Sequence, residues 1–167
     1  MNSEKKPPVT VDAGTAPTVS MVGDTYQILL SGKQTGGAFA MMDFLIPPGG
    51  GPGPHAHAQM TETFYVIDGE IEVRSEAGSY RATKGAVVNI PKGGIVHQFK
   101  NTSGSIAHVL CMVSPAGLDE FFLEAGRPVL PGTFLPPPEM DEKLREKMGA
   151  LAKKYGQELF PPDYLER

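Results

Sequence analysis

Apolar and polar positions alternate along much of the first 115 residues, in runs too short for helices and punctuated by Gly and Pro. Residues 26–30 read as the first strand. After a break at Gly36 and Gly37, residues 38–46 read as a longer one. Its faces carry Phe39, Met41, Asp43 and Leu45 against Ala40, Met42, Phe44 and Ile46; both are mostly apolar, so the pattern leaves open which faces inward. Residues 62–67 and 70–75 flank Asp68 and Gly69, a dipeptide that favours a two-residue hairpin turn. Further short strands are expected at 78–83, 86–90, 95–99 and 106–113. Beyond Pro115 the period changes to that of a helix. Leu118, Phe121, Phe122 and Ala125 share one face up to Gly126, and Leu144, Met148, Leu151 and Tyr155 form a stripe within 141–155. The pattern thus predicts an arm (1–20), an all-β domain (21–116) and a C-terminal helical tail (117–167) that packs on that domain.

The chemistry concentrates between Gly49 and Gly69. Residues 47–54 hold four prolines and four glycines and exclude regular structure. They deliver His55 and His57, an H-x-H pair whose strand spacing puts both imidazoles on one face. Glu62 comes five residues after His57, so the chain must bend between Ala58 and Thr61 for the three to converge. His97 adds a third imidazole, and three imidazoles with one carboxylate suit a divalent transition metal.

These stretches resemble the two motifs of the cupin superfamily. Gly49, His55, His57, Glu62 and Gly69 fit the first without a gap. Gly85, Pro91, Gly93, His97 and Asn101 fit the second, except that three residues rather than two separate Gly93 from His97. The resemblance implies a double-stranded β-helix (cupin or jelly-roll barrel) holding one metal ion through His55, His57, Glu62 and His97. The tail is similar to that of single-domain bacterial cupins described as quercetin dioxygenase-like. That likeness implies a second role for Glu62, as the catalytic base that takes a substrate proton. The ion is Fe, Mn, Ni, Cu or Zn; imidazole and carboxylate ligands do not choose among them. Small cupins commonly dimerise, so a homodimer is expected.

Composition narrows the field. Fifteen basic and nineteen acidic residues give a net charge of −4, which argues against nucleic acid as a partner. No apolar run is long enough to span a membrane, and the N-terminus lacks a signal-peptide core. With one cysteine, Cys111, the chain forms no internal disulfide, and a cytoplasmic location is the default. Tyr26, Met42, Phe44, Phe64 and Phe99 are candidates to line a pocket for a small apolar or aromatic substrate, against the plainer reading that they are core. Phe121 and Phe122 are candidates for a lid, against packing on the barrel exterior, and Gln59 and Gln98 for fixing an imidazole tautomer. His108 and Cys111 read as structural residues.

The leading functional expectation is a metal-dependent dioxygenase acting on a small enol or phenol. The alternatives are a non-catalytic, metal-bearing small-molecule binder and, ranked lower, a sugar isomerase. An isomerase of phosphosugars needs basic side chains at the site, and the two motifs contain only Lys92 and Lys100.

Overall fold

The computed structural model describes residues 5–166, to which all that follows refers. Ten strands come first: β1 (Thr18–Met21), β2 (Asp24–Leu30), β3 (Ala40–Ile46), β4 (His55–Ala56), β5 (Thr61–Asp68), β6 (Glu70–Ser75), β7 (Gly78–Thr83), β8 (Val87–Ile90), β9 (His97–Lys100) and β10 (Ala107–Ser114). A single capped turn, α1 (Gly32–Thr35), joins β2 to β3. Helix α2 (Leu118–Ala125), strand β11 (Arg127–Pro128), helix α3 (Glu142–Lys154) and strand β12 (Glu158–Leu159) follow. The strands form two antiparallel sheets, ordered β11-β1-β2-β3-β10-β5-β8 and β12-β4-β9-β6-β7, and the core lies between their inner faces in a jelly roll.

Alternation sets the inner faces. On β3, Ala40, Met42, Phe44 and Ile46 are buried, whereas Met41, Asp43 and Leu45 are only half-buried, which resolves the face the pattern left open. On β5, Glu62, Phe64 and Val66 point in and Tyr65 is exposed.

The expected hairpin between β5 and β6 does not form. β5 pairs with β10 and β8 in one sheet, and β6 pairs with β7 and β9 in the other. The chain crosses between the sheets at Gly69, whose φ is 74°. A Cβ there would meet Ala107 Cα and the Ile106 carbonyl at 3.0 Å, so the glycine serves a sheet crossing with close backbone contact.

The arm also ends earlier than expected. Residues 5–17 contain neither helix nor strand, but β1 begins at Thr18 and pairs with β2 and β11. β1 escapes the hydrophobic pattern because its buried positions include polar residues. Thr18 Oγ1 donates to the Ala16 carbonyl and Ser20 Oγ to the Asp24 carbonyl, so both hydroxyls are satisfied inside.

The tail is integral to the core. Phe122 stacks on Tyr26 with centroids 4.1 Å apart and meets Phe44 edge-on at 5.5 Å, so α2 inserts an aromatic plug; Phe121 is buried beside it. Leu151 and Ala152 of α3 are buried as well. The chain then turns back, and β12 pairs with β4, setting Glu158 opposite Ala56 and Leu159 opposite His55. No helix among the described residues is long and apolar enough to cross a membrane.

Candidate metal centre

The glycine-rich loop before His55 is held by backbone bonds to the second motif. Gly49 N–H donates to the Asn101 carbonyl at 2.8 Å, and Asn101 N–H donates to the Gly50 carbonyl at 2.9 Å. The buried Asn101 amide donates to the carbonyls of Ile46 and Ser105, locking the neighbouring chain. At Gly51 the loop lies directly on β9, where a Cβ would fall 2.1 Å from the Phe99 carbonyl oxygen. The fit of loop on strand thereby sets His55, on β4, opposite His97, on β9.

The chain bends after β4 to enter the other sheet at β5, as convergence of the ligands requires. All four candidate ligands are buried. One ligand atom from each of His55, His57, Glu62 and His97 lies within 4.8 Å of the others. Each imidazole is oriented by the peptide backbone. His55 Nδ1 bonds the Gly53 carbonyl at 2.9 Å, His57 Nδ1 the Met60 carbonyl at 3.2 Å and His97 Nδ1 the Ile95 carbonyl at 3.0 Å. A carbonyl only accepts, so each Nδ1 carries a proton; each Nε2 can then give its lone pair to a bound metal ion, and without metal a proton on Nε2 of His57 or His97 is donated to Glu62. Gln59 is exposed and does not fix a tautomer; neither does Gln98, since backbone carbonyls do that work.

Glu62 Oε2 lies 3.1 Å from His57 Nε2 and 3.4 Å from His97 Nε2. Imidazole lone pairs and a carboxylate oxygen repel unless a cation or a proton lies among them. The donor set therefore fits a divalent transition metal, with hard and borderline ligands converging in a buried site. Without metal the site responds electrostatically. Burial would raise the Glu62 carboxyl, but hydrogen bonds from His57 and His97 outweigh it and hold the group well below the usual carboxylate range. Burial would lower His57, but the bond to Glu62 wins and raises it. His55, lacking such a bond, is pushed down to about 4 by burial and then by the charge of His97.

The other candidates fall elsewhere. Tyr26, Met42, Phe44, Phe64 and Phe99 are brought together, all buried in the core cluster. Phe64 and Phe99 meet edge-on at 5.1 Å, and Phe44 lies 6.4 and 6.3 Å from them. His108 is partnered on the outer face of its sheet, its Nε2 2.5 Å from Asp43 Oδ1.

Two residues near the site carry roles that sequence reasoning missed. Cys111 on β10 is buried and donates its thiol to Glu62 Oε1 at 3.4 Å. Asp24 is buried with Oδ2 accepting from Tyr26 and Oδ1 without a partner, pressed against the Gly50 position of the ligand loop. Burial pushes its carboxyl up to about 6, against the lowering bond from Tyr26.

Residues 42–113 match the family model described as the cupin domain. Solved structures give the same fold. A sugar phosphate isomerase of the cupin superfamily from Silicibacter pomeroyi is 20% identical, with TM-score 0.58, over 65% of this chain and 77% of that one. The polyketide cyclase RemF from Streptomyces resistomycificus is 16% identical, with TM-score 0.57, over 84% and 92%. A predicted oxalate decarboxylase from Thermotoga maritima is 23% identical, with TM-score 0.56, over 64% and 99%. No curated protein sequence matches the chain.

Proposed function

We propose that this chain, which carries a cupin domain at residues 42–113, is a metal-dependent oxidoreductase of the quercetinase-like kind that opens a small enolic or phenolic substrate with dioxygen. The observation that carries the reading is the ligand set: three Nε2 lone pairs and Oε2 of Glu62 turned toward one buried point. A redox-active divalent ion held there supplies activation of dioxygen or of a bound enolate. The protein's own share is orientation and proton handling. The three backbone carbonyls hold the imidazoles fixed before substrate arrives. Glu62, whose carboxylate sits at the ligand cluster, is the base that takes the hydroxyl proton of the substrate. Phe64 and Phe99 follow Glu62 and His97 by two residues on the same inner faces, so an aromatic core layer backs the ligands.

A phosphosugar isomerase is less well supported, because Lys92 and Lys100, the basic residues of the two motifs, are both exposed. The polyketide cyclase and oxalate decarboxylase chemistries belong to those proteins; their low identity carries the fold to this chain and no activity.

The test is metal analysis by plasma mass spectrometry on untagged protein beside His57→Ala, followed by an oxygen-electrode screen with enols and phenols. Near-stoichiometric iron, manganese, copper or nickel, lost in His57→Ala, with substrate-dependent oxygen uptake is the expected result. Stoichiometric metal without uptake across the screen would leave a metal-bearing small-molecule binder. We propose further that the protein is a cytoplasmic homodimer. Light scattering at micromolar concentration should give twice the chain mass, and a monomer would refute the dimer.

A further inference from the structure

We infer that Cys111 is a positioning residue of the metal centre: its thiol occupies Oε1 of Glu62 and reserves Oε2 as the single carboxylate oxygen offered to a cation. The inference rests on reading His55, His57, Glu62 and His97 as a metal centre. It begins in strand register. β10 lies beside β5 with Val113 opposite Glu62 and Cys111 opposite Phe64, which makes Cys111 the diagonal neighbour of Glu62 on the inner face. Diagonal neighbours across antiparallel strands are within reach of a long side chain. Here the glutamate spans that gap, and its two oxygens part company. Oε2 lies 3.1 and 3.4 Å from the Nε2 atoms of His57 and His97, while Oε1 lies 3.4 Å from Cys111 Sγ.

A carboxylate bound through one oxygen takes one coordination position, and one bound through both takes two. A thiol that engages Oε1 thus favours four protein donors in four positions and keeps the remaining positions for substrate or dioxygen. For the glutamate to chelate, Oε1 must turn toward the ion and strain or share its contact with Cys111, which is itself fully buried on a central strand and fixed by its register with β3 and β5. A small buried hydrophobe at this place would fill the same space without directing either oxygen.

The two roles separate under substitution. Cys111→Ser retains a donor, whereas Cys111→Ala and Cys111→Val remove it at smaller and larger volume. Each protein, confirmed as folded by thermal melting without metal, is titrated with cobalt(II) while the visible ligand-field bands are recorded. We expect the wild type and Cys111→Ser to share one spectrum. Cys111→Ala and Cys111→Val should bind about tenfold more weakly, the low end of losses for outer partners of a ligand. Their bands should weaken and shift as the carboxylate chelates. Wild-type affinity and spectrum in both Cys111→Ala and Cys111→Val would overturn the inference. So would a Cys111→Ser protein that loses metal as Cys111→Ala does, since that outcome assigns Cys111 to packing. If alanine unfolds the chain, valine carries the comparison. A Glu62→Gln control separates this failure from that of the premise: wild type binding cobalt no better than Glu62→Gln would remove the metal centre itself.

Discussion

Glu62 and Phe64 lie two residues apart on the inner face of β5, and His97 and Phe99 do the same on β9. Two residues along a strand are about 7 Å, so each strand lays a ligand into one layer of the interior and an aromatic ring into the next. The layers are equally dry. Glu62 and His97 are 3% and 0% exposed, Phe64 and Phe99 0% and 3%. Yet the ring layer gains from burial, with edge-on contacts among Phe44, Phe64, Phe99 and Tyr26, whereas the ligand layer pays desolvation and is balanced only by mutual contacts and a cation. Burial alone therefore does not distinguish core from site; what each buried group finds beside it does.

Three measurements bear on this contrast. The largest effect is expected in the ring layer: Phe44→Ala should cost about 3–5 kcal/mol in urea unfolding of metal-free protein, as truncations of buried Phe do. Added metal should then stabilise Phe44→Ala by the same increment as wild type, and should fail to stabilise Glu62→Gln, since only a bound ligand shifts folding by mass action. Loss of the metal increment in Phe44→Ala would show that the two layers are one unit.

The pH response of metal-free protein sharpens the contrast further, because each layer holds a buried group shifted toward the middle of the accessible pH range or across it. Asp24, whose Oδ2 accepts from Tyr26 at the edge of the ring layer, is raised from 3.8 to about 6. The folded state then holds the extra proton between those values, so Asp24 costs stability above pH 6 and the cost fades as pH falls to 4. His55 in the ligand layer is lowered from 6.5 to about 4, so its contribution is present above pH 6.5 and is lost on acidification through that window. Each shift corresponds to about 3 kcal/mol, with opposite sign. Asp24→Asn should therefore be about 3 kcal/mol more stable than wild type at pH 7 and equal to it near pH 4, as read from urea midpoints at several pH values. A difference independent of pH would remove Asp24 from this account.

Much of the ligand layer was legible in the chain, because H-x-H, a glutamate and a distant histidine are rare residue types at constrained spacings. What held those ligands was not legible. The carbonyls of Gly53, Met60 and Ile95 belong to the backbone, which every residue has, and the partnership of Cys111 with Glu62 depends on strand register across 49 positions. The strands were legible wherever one face is apolar and the other is not. β1 failed that criterion with buried Thr18 and Ser20, and β12 is two residues long, below any period. Asp68 and Gly69 misled for a different reason: the dipeptide specifies a turn, and nothing local says whether the next strand joins the same sheet.

The pairing of β12 with β4 carries a consequence for the order in which the protein is made. Residues 158 and 159 pair with Ala56 and His55, yet roughly 60 residues separate His97 from Leu159 along the chain. At about 5–20 residues per second, a ribosome needs about 3–12 s to cover that distance. Through that interval all four metal ligands have been synthesised, while the outer edge of the His55 strand has no partner. Among the described strands, the one that covers the outer edge of the His55 strand is thus the last to be made.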